Sequence, residues 1–210
     1  MKKILLIILL SNFSIACSQT KHSDYSNEVN DLKAFVEDTY KSDSTKVKAY
    51  AKNENNGKIF AIKTDDLYSE FDFEIFHVYE FLAKNDKVVF ARKTPISESG
   101  DWAMSFSYYF NNDGRLIGAE KSVSSFYGEQ NMLVTYTARY ELSNKTDKLE
   151  RVDVYYTDHK DNKIKKKSKL YKEAVEGSMI NEFVDNMDQI TFRDLESFMK
   201  TEKIKYYKTD

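Results

Sequence analysis

A period of two, broken only by short polar turns, runs from Val47 to Tyr156 and constrains this chain more than any other feature. Met132, Val134, Tyr136, Ala138, Tyr140 and Leu142 alternate with Thr135, Thr137, Arg139 and Glu141. Side chains of a strand point to opposite faces in turn, so this spacing marks a strand with one buried face. Trp102, Met104, Phe106, Tyr108 and Phe110 repeat the pattern, and Asn111-Asn112-Asp113-Gly114 then supplies residues that tolerate positive φ. Arg115–Ser125 returns as the partner strand. Lys46–Lys52 and Lys58–Lys63 flank a second turn, Asn53-Glu54-Asn55-Asn56-Gly57. Phe71, Phe73, Ile75, Tyr79 and Phe81 make another strand, in which Phe76 and Val78 break the alternation, as a bulge or two-sided burial would. Val88–Phe90, closed by Pro95, and Val152–Tyr156 add two more. Asp158–Asn162 turns the chain into Lys163–Tyr171, taken as a last strand. Strand follows strand without an intervening helix, the layout of an antiparallel meander.

Helical spacing bounds this region. Val29, Leu32, Phe35, Val36 and Tyr40 form one stripe over 27–41, with Ser26 as the expected N-cap. Met179, Ile180, Phe183, Val184 and Met187 form another. A last helix is expected from an N-cap at Thr191, with Ile190 and Leu195 as its hydrophobic staple and Phe192, Leu195, Phe198 and Met199 on its apolar face. The expectation is an α+β fold: a curved antiparallel β-meander of about eight strands with an N-terminal helix and two C-terminal helices packed on one face. Residues 26–210 read as one domain, preceded by a leader at 1–16 and a tether at 17–25.

The leader is read from its own physics. Met1-Lys2-Lys3 is positive, Ile4–Leu10 is apolar without a break, and Ser11–Ala16 turns small and mixed before Cys17. The apolar run is far shorter than the roughly 20 residues that span a bilayer as a helix, which fits a secretory signal. Ser14-Ile15-Ala16-Cys17 resembles the lipobox of bacterial lipoproteins, matching at Ala16 and Cys17 and departing at Ser14, where the family usually carries an aliphatic residue. The resemblance implies cleavage between Ala16 and Cys17 and lipid on the Cys17 thiol. Acyl chains contribute about 0.8 kcal/mol per buried CH₂, so two or more anchor firmly. Ser18 does not resemble the Asp that retains some lipoproteins at the inner membrane, which favours the outer one. Cys17 is the single cysteine, so no internal disulfide is expected.

Candidate chemistry is sparse. The chain holds 15 Tyr, 14 Phe and 1 Pro, a composition that favours a sheet-rich folded domain over disorder. A formal net charge of -2 argues against a nucleic-acid binder. His22, His77 and His159 are isolated and lack metal-ligand spacing. Asp158-His159-Lys160-Asp161-Asn162 has Lys160 where a calcium ligand would stand, and it reads as a hairpin loop. Ser97-Glu98-Ser99-Gly100 and Ser122–Ser125 imply no base, and Asp72 and Glu74 share a solvent face. Trp102 and its aromatic neighbours read as core. No catalytic residue, cofactor or metal is assigned.

Charge is uneven. Asp65, Asp66, Glu70, Asp72, Glu74 and Glu80 make an acidic stretch, and Lys163, Lys165, Lys166, Lys167, Lys169 and Lys172 a basic one. Lysines protect exposed strand edges from pairing, and that reading is preferred to contact with anionic head groups. The expected function is a lipid-anchored envelope protein that binds a partner or supports structure. A carrier of apolar cargo in an open half-barrel is the alternative by fold analogy alone, followed by a hydrolase with an unrecognised site.

Overall fold

The computed structural model of the chain describes residues 25–53, 55–63, 75–97, 102–127, 132–176 and 190–205. Helix α1 (Tyr25–Ser42) leads into β1 (Lys48–Asn53), β2 (Ile59–Ile62), β3 (Ile75–Lys84), β4 (Lys87–Pro95), β5 (Trp102–Phe110), β6 (Leu116–Tyr127), β7 (Met132–Ser143) and β8 (Lys148–Asp158). Among the described residues two short helices follow, α2 (Lys169–Glu176) and α3 (Leu195–Glu202). All eight strands form one antiparallel sheet that does not close, in the order β2-β1-β3-β4-β5-β6-β7-β8. The expected α+β meander is therefore present from β3 to β8. The departure lies at the other edge, where β1 sits between β2 and β3 and pairs with both.

Turn chemistry fixes the register. Asn85 and Asp86 both adopt positive φ, at 52° and 61°, as a two-residue hairpin with the twist of its strands requires. At the β5–β6 turn the Asn111 side chain accepts from the backbone N–H of Asp113 at 3.0 Å and of Arg115 at 2.9 Å, and Gly114 takes φ 78°. Register shifts at Leu82/Ala83 and Tyr109/Phe110 interrupt the alternation near these hairpins. Consecutive residues there bury on opposite sides of the sheet: Phe81 and Leu82, Tyr108 and Tyr109, Leu116 and Ile117.

That two-sided burial corrects the expectation that the helices share a face. Val29, Leu32 and Val36 of α1 pack with Leu82, Val89, Phe90, Tyr109 and Ile117. Phe198 of α3, fully buried, packs on the other side among Phe81, Tyr108, Phe110 and Phe192, with ring centroids 4.9–6.4 Å apart. A sheet apolar on both sides of its centre needs a cover on each, and burying one such side chain contributes about 2–3 kcal/mol.

Three local expectations also change. Helix α1 already includes Tyr25, so Ser26 lies inside it, and its buried hydroxyl donates to the Glu141 carboxylate instead of capping. The N-cap of α3 is Asp194, not Thr191: its carboxylate accepts from Ser197 N–H at 2.7 Å, and the Ser197 hydroxyl accepts in return from Asp194 N–H. Residues before it are held extended against the β5–β6 turn, through Leu116 N–H to Arg193 C=O and Leu195 N–H to Gly114 C=O, both at 2.9 Å. Lys163–Tyr171 is not a strand. Lys163 alone bridges Thr157, and the chain then turns at 166–168 into α2. The helix expected around Met179–Met187, the leader, Cys17 and most of the acidic stretch lie outside the described residues.

Candidate functional site

Strand register builds a row of charge across the face that α1 covers. Glu80 pairs with Arg92, Arg92 with Ser107, Ser107 with Glu120, Glu120 with Arg139, and Arg139 with Asp153. Opposite charges directly across strands attract, so the row is self-neutralising. Arg92 reaches Glu80 at 3.4 Å, and Arg139 reaches Glu120 at 3.2 Å and Glu141 at 3.7 Å.

Helix α1 lies against this row and adds its own groups. Lys33 contacts Glu120 at 2.5 Å, Asn30 accepts from Arg139 at 3.1 Å, and the Tyr40 hydroxyl donates to Glu80 at 2.8 Å. The Arg92 guanidinium stacks 4.9 Å from the Tyr40 ring centroid. Burial raises the Tyr40 phenol well above its ordinary range; Glu80 adds to that and Arg92 opposes it. Tyr109 is raised likewise, by burial and then by Glu120. Both phenols therefore stay protonated and donate. Gly118 permits the close approach of α1, since a Cβ there would stand 2.7 Å from Val29 Cγ2.

Beyond Tyr40 the same face continues without α1. Two cross-strand rows of hydroxyl-bearing residues floor it: Ser105, Ser122, Thr137 and Tyr155, then Ser124, Thr135 and Thr157 beside Ala103. Ser122 and Thr137 hydroxyls are 3.2 Å apart, and those of Ser124 and Thr135 are 2.8 Å apart. A cleft of about 460 Å³ opens here, between the Glu80–Arg92–Tyr40 cluster and Thr94, Ile96, Ala103, Ser105, Ser122 and Ser124. Ile96, just past the end of β4, and Phe126 of β6 are large apolar side chains exposed here, at 43% and 57%. A concave site with a few convergent polar groups among apolar ones is the ordinary form of a ligand pocket.

The opposite face is closed by packing. Trp102 lies partly buried against its aromatic cluster, away from the cleft. His77 is buried and stacked on Tyr79 at 6.0 Å; burial, then Lys93, holds its imidazole down to about 4. Glu202, near the end of α3, accepts from the Tyr79 hydroxyl at 2.8 Å and pairs with Lys93 at 2.7 Å. A smaller cleft of about 380 Å³ lies between the β7–β8 turn and Ile190–Arg193, with the Arg115–Asp147 ion pair among its lining residues. His159 is exposed in its turn, where the Asp158 carboxylate accepts from Lys160 and Asn162 N–H at 2.8 and 3.0 Å. Among the described residues no three His, Cys, Asp or Glu side chains cluster as a metal site would need. Among the same residues no helix is long and apolar enough to cross a membrane.

Sequence reasoning named Ser122–Ser125 only as an unsupported nucleophile and did not place Ser122 and Ser124 in a cleft. Arg92, Tyr40 and Ser105 were not singled out as site residues at all. Comparison of the chain with protein-family profiles, curated proteins and solved structures finds no match in any of the three.

Proposed function

We propose that this protein is a lipid-anchored binding module of the cell envelope, held through Cys17 and presenting the open half of the α1 face to its ligand. The observation that carries the binding reading is the cleft beside Arg92: a recessed, hydroxyl-floored surface with exposed Ile96 and Phe126 near it and a self-neutralised charge cluster at one end. The anchor rests on Lys2-Lys3, the apolar run Ile4–Leu10 and the Ala16-Cys17 pair. The outer membrane is the favoured site because Ser18 follows the cysteine. The carrier reading has less support, since Phe81, Phe90 and Phe198 fill the spaces between sheet and helices.

Mass spectrometry of the protein recovered from its own envelope tests both parts. Under denaturing conditions the chain should begin at Cys17 and exceed its polypeptide mass by acyl chains, and Cys17→Ser should leave the membrane fraction. Another first residue, or the bare polypeptide mass, contradicts the anchor. Under native conditions a non-covalent adduct is expected that Ala103→Trp, which fills the cleft mouth, removes. An adduct indifferent to that substitution, or none at all, contradicts the binding face.

A further inference from the structure

The basic segment after β8 remains outside the proposed binding face. Residues 160–172 hold seven lysines against one aspartate, in a chain whose formal net charge is -2. Lys160, Lys163, Lys165, Lys166, Lys167, Lys169 and Lys172 are all exposed. Protection of a paired strand edge does not account for them, because the segment is a turn and a helix start with one isolated bridge at Lys163. It is also built rather than loose. Ile164 N–H donates to Tyr156 C=O at 2.8 Å, and Tyr171 sets its ring edge-on to Tyr156 at 5.2 Å. The Ser168 hydroxyl accepts from Tyr171 N–H at 3.1 Å, capping α2. Lys163 lies over the Tyr155 ring at 4.8 Å. The chain thus fixes the loop at both ends while these lysines stay on the surface.

Geometry relates this loop to the anchor. Tyr25, where the tether joins, lies by the β5–β6 turn, within 3.5 Å of Arg115. The lysine segment folds back beside the far end of β8, whose 11 residues span roughly 35 Å. The tether reaches roughly 25–30 Å. A domain laid along its β8 edge therefore brings the anchor and the lysines to one plane. That edge exposes Lys148, Glu150, Arg151 and the apolar Val152, a net positive set.

From this arrangement we infer that Lys160–Lys172 is a second membrane contact, a docking surface for anionic lipid head groups that lays the anchored domain on its β8 edge. The inference rests on the lipid-anchor reading for its orientation. A single lipid tether fixes distance but leaves rotation free. A cluster of exposed lysines, each attracted to an anionic surface over a Debye length of about 8 Å at physiological salt, selects one rotation.

The test uses the mature acylated protein in phosphatidylcholine vesicles, with and without about one third phosphatidylglycerol. Acetylation rates of individual lysines are read by mass spectrometry. Lys163, Lys165, Lys166 and Lys167 should label several-fold more slowly on the anionic vesicles, and salt at about 0.5 M should restore their rates, since screening then acts within a few ångströms. Lys87, exposed at the start of β4, should not change. Lys165→Gln/Lys166→Gln/Lys167→Gln should relieve the protection at Lys163 while the domain melts as before. Equal labelling on both vesicles overturns the inference, as does protection by a soluble anionic polysaccharide but not by vesicles. Failure of the protein to float with neutral vesicles refutes the anchor and leaves the lysine result readable by addition of the free protein.

Discussion

The two faces of the sheet are covered by different physics. On the α3 face, Phe81, Tyr108, Phe110, Phe192 and Phe198 meet through ring contacts, the cover is an eight-residue helix, and Glu202 ties its end to Tyr79 and Lys93. On the α1 face, an 18-residue helix is fixed both by Val29, Leu32 and Val36 and by directional pairs to Glu80, Glu120, Arg139 and Glu141. Apolar contact is non-directional and closes whatever surface it can reach. A charged row with its own partners specifies where the helix lies, and the hydroxyl rows continue past it. The open cleft is thus the counterpart of the polar cover.

If that contrast holds, the largest loss should come from the aromatic side. Phe198→Ala should cost about 3–5 kcal/mol in urea denaturation, because it removes a fully buried ring with partners on two strands and on Phe192. A loss under 1 kcal/mol would mean that α3 is not part of the cooperative unit.

The same face carries a pH signature. The His77 imidazole is held down to about 4 in the folded chain, against an ordinary value near 6.5. Between those values the unfolded chain binds more protons, so stability falls as pH drops from about 6.5 towards 4. His77→Gln should flatten that slope relative to the parent protein in pH-dependent melts; parallel slopes would show that His77 is solvated.

On the α1 face the sharpest probe is steric. Gly118→Ala places a methyl 2.7 Å from Val29 Cγ2 and should cost about 1–3 kcal/mol. Adding Val29→Ala should return part of the loss, and strictly additive losses would contradict the close approach. Glu120→Gln is expected to be milder, about 1–2 kcal/mol, since its partners Lys33 and Arg139 keep 22% side-chain exposure and can rehydrate. Its cost should shrink with added salt.

Much of the sheet was legible in the sequence because period two is a local signal: β5, β6 and β7 follow from alternation and from Asn111–Gly114. The two-sided core is also written there, in doublets such as Tyr108-Tyr109 and Leu116-Ile117, but the sequence pattern points to two-sided burial only at Phe76 and Val78. Thr191 was a reasonable cap on local grounds, and a tertiary bridge from Arg115 to Asp194 displaced the start of the helix. The charged row was not legible because Glu80, Arg92, Glu120, Arg139 and Asp153 are far apart in the chain and meet only through register. The β5–β6 turn alone, with Phe110 opposite Leu116, would place Ser107 opposite Ala119; the register shift at Tyr109/Phe110 brings Glu120 there instead.

Labelling of an introduced cysteine tests the division of the two faces most directly, because the chain has no other cysteine besides Cys17. Ala103→Cys stands exposed at the cleft, and Asn112→Cys stands exposed in the β5–β6 turn. In purified protein both should react with a membrane-impermeant maleimide at similar rates. In intact envelopes the open face should be occupied, so Ala103→Cys should react several-fold more slowly while Asn112→Cys keeps its rate. Equal rates at the two positions in the envelope would contradict the account.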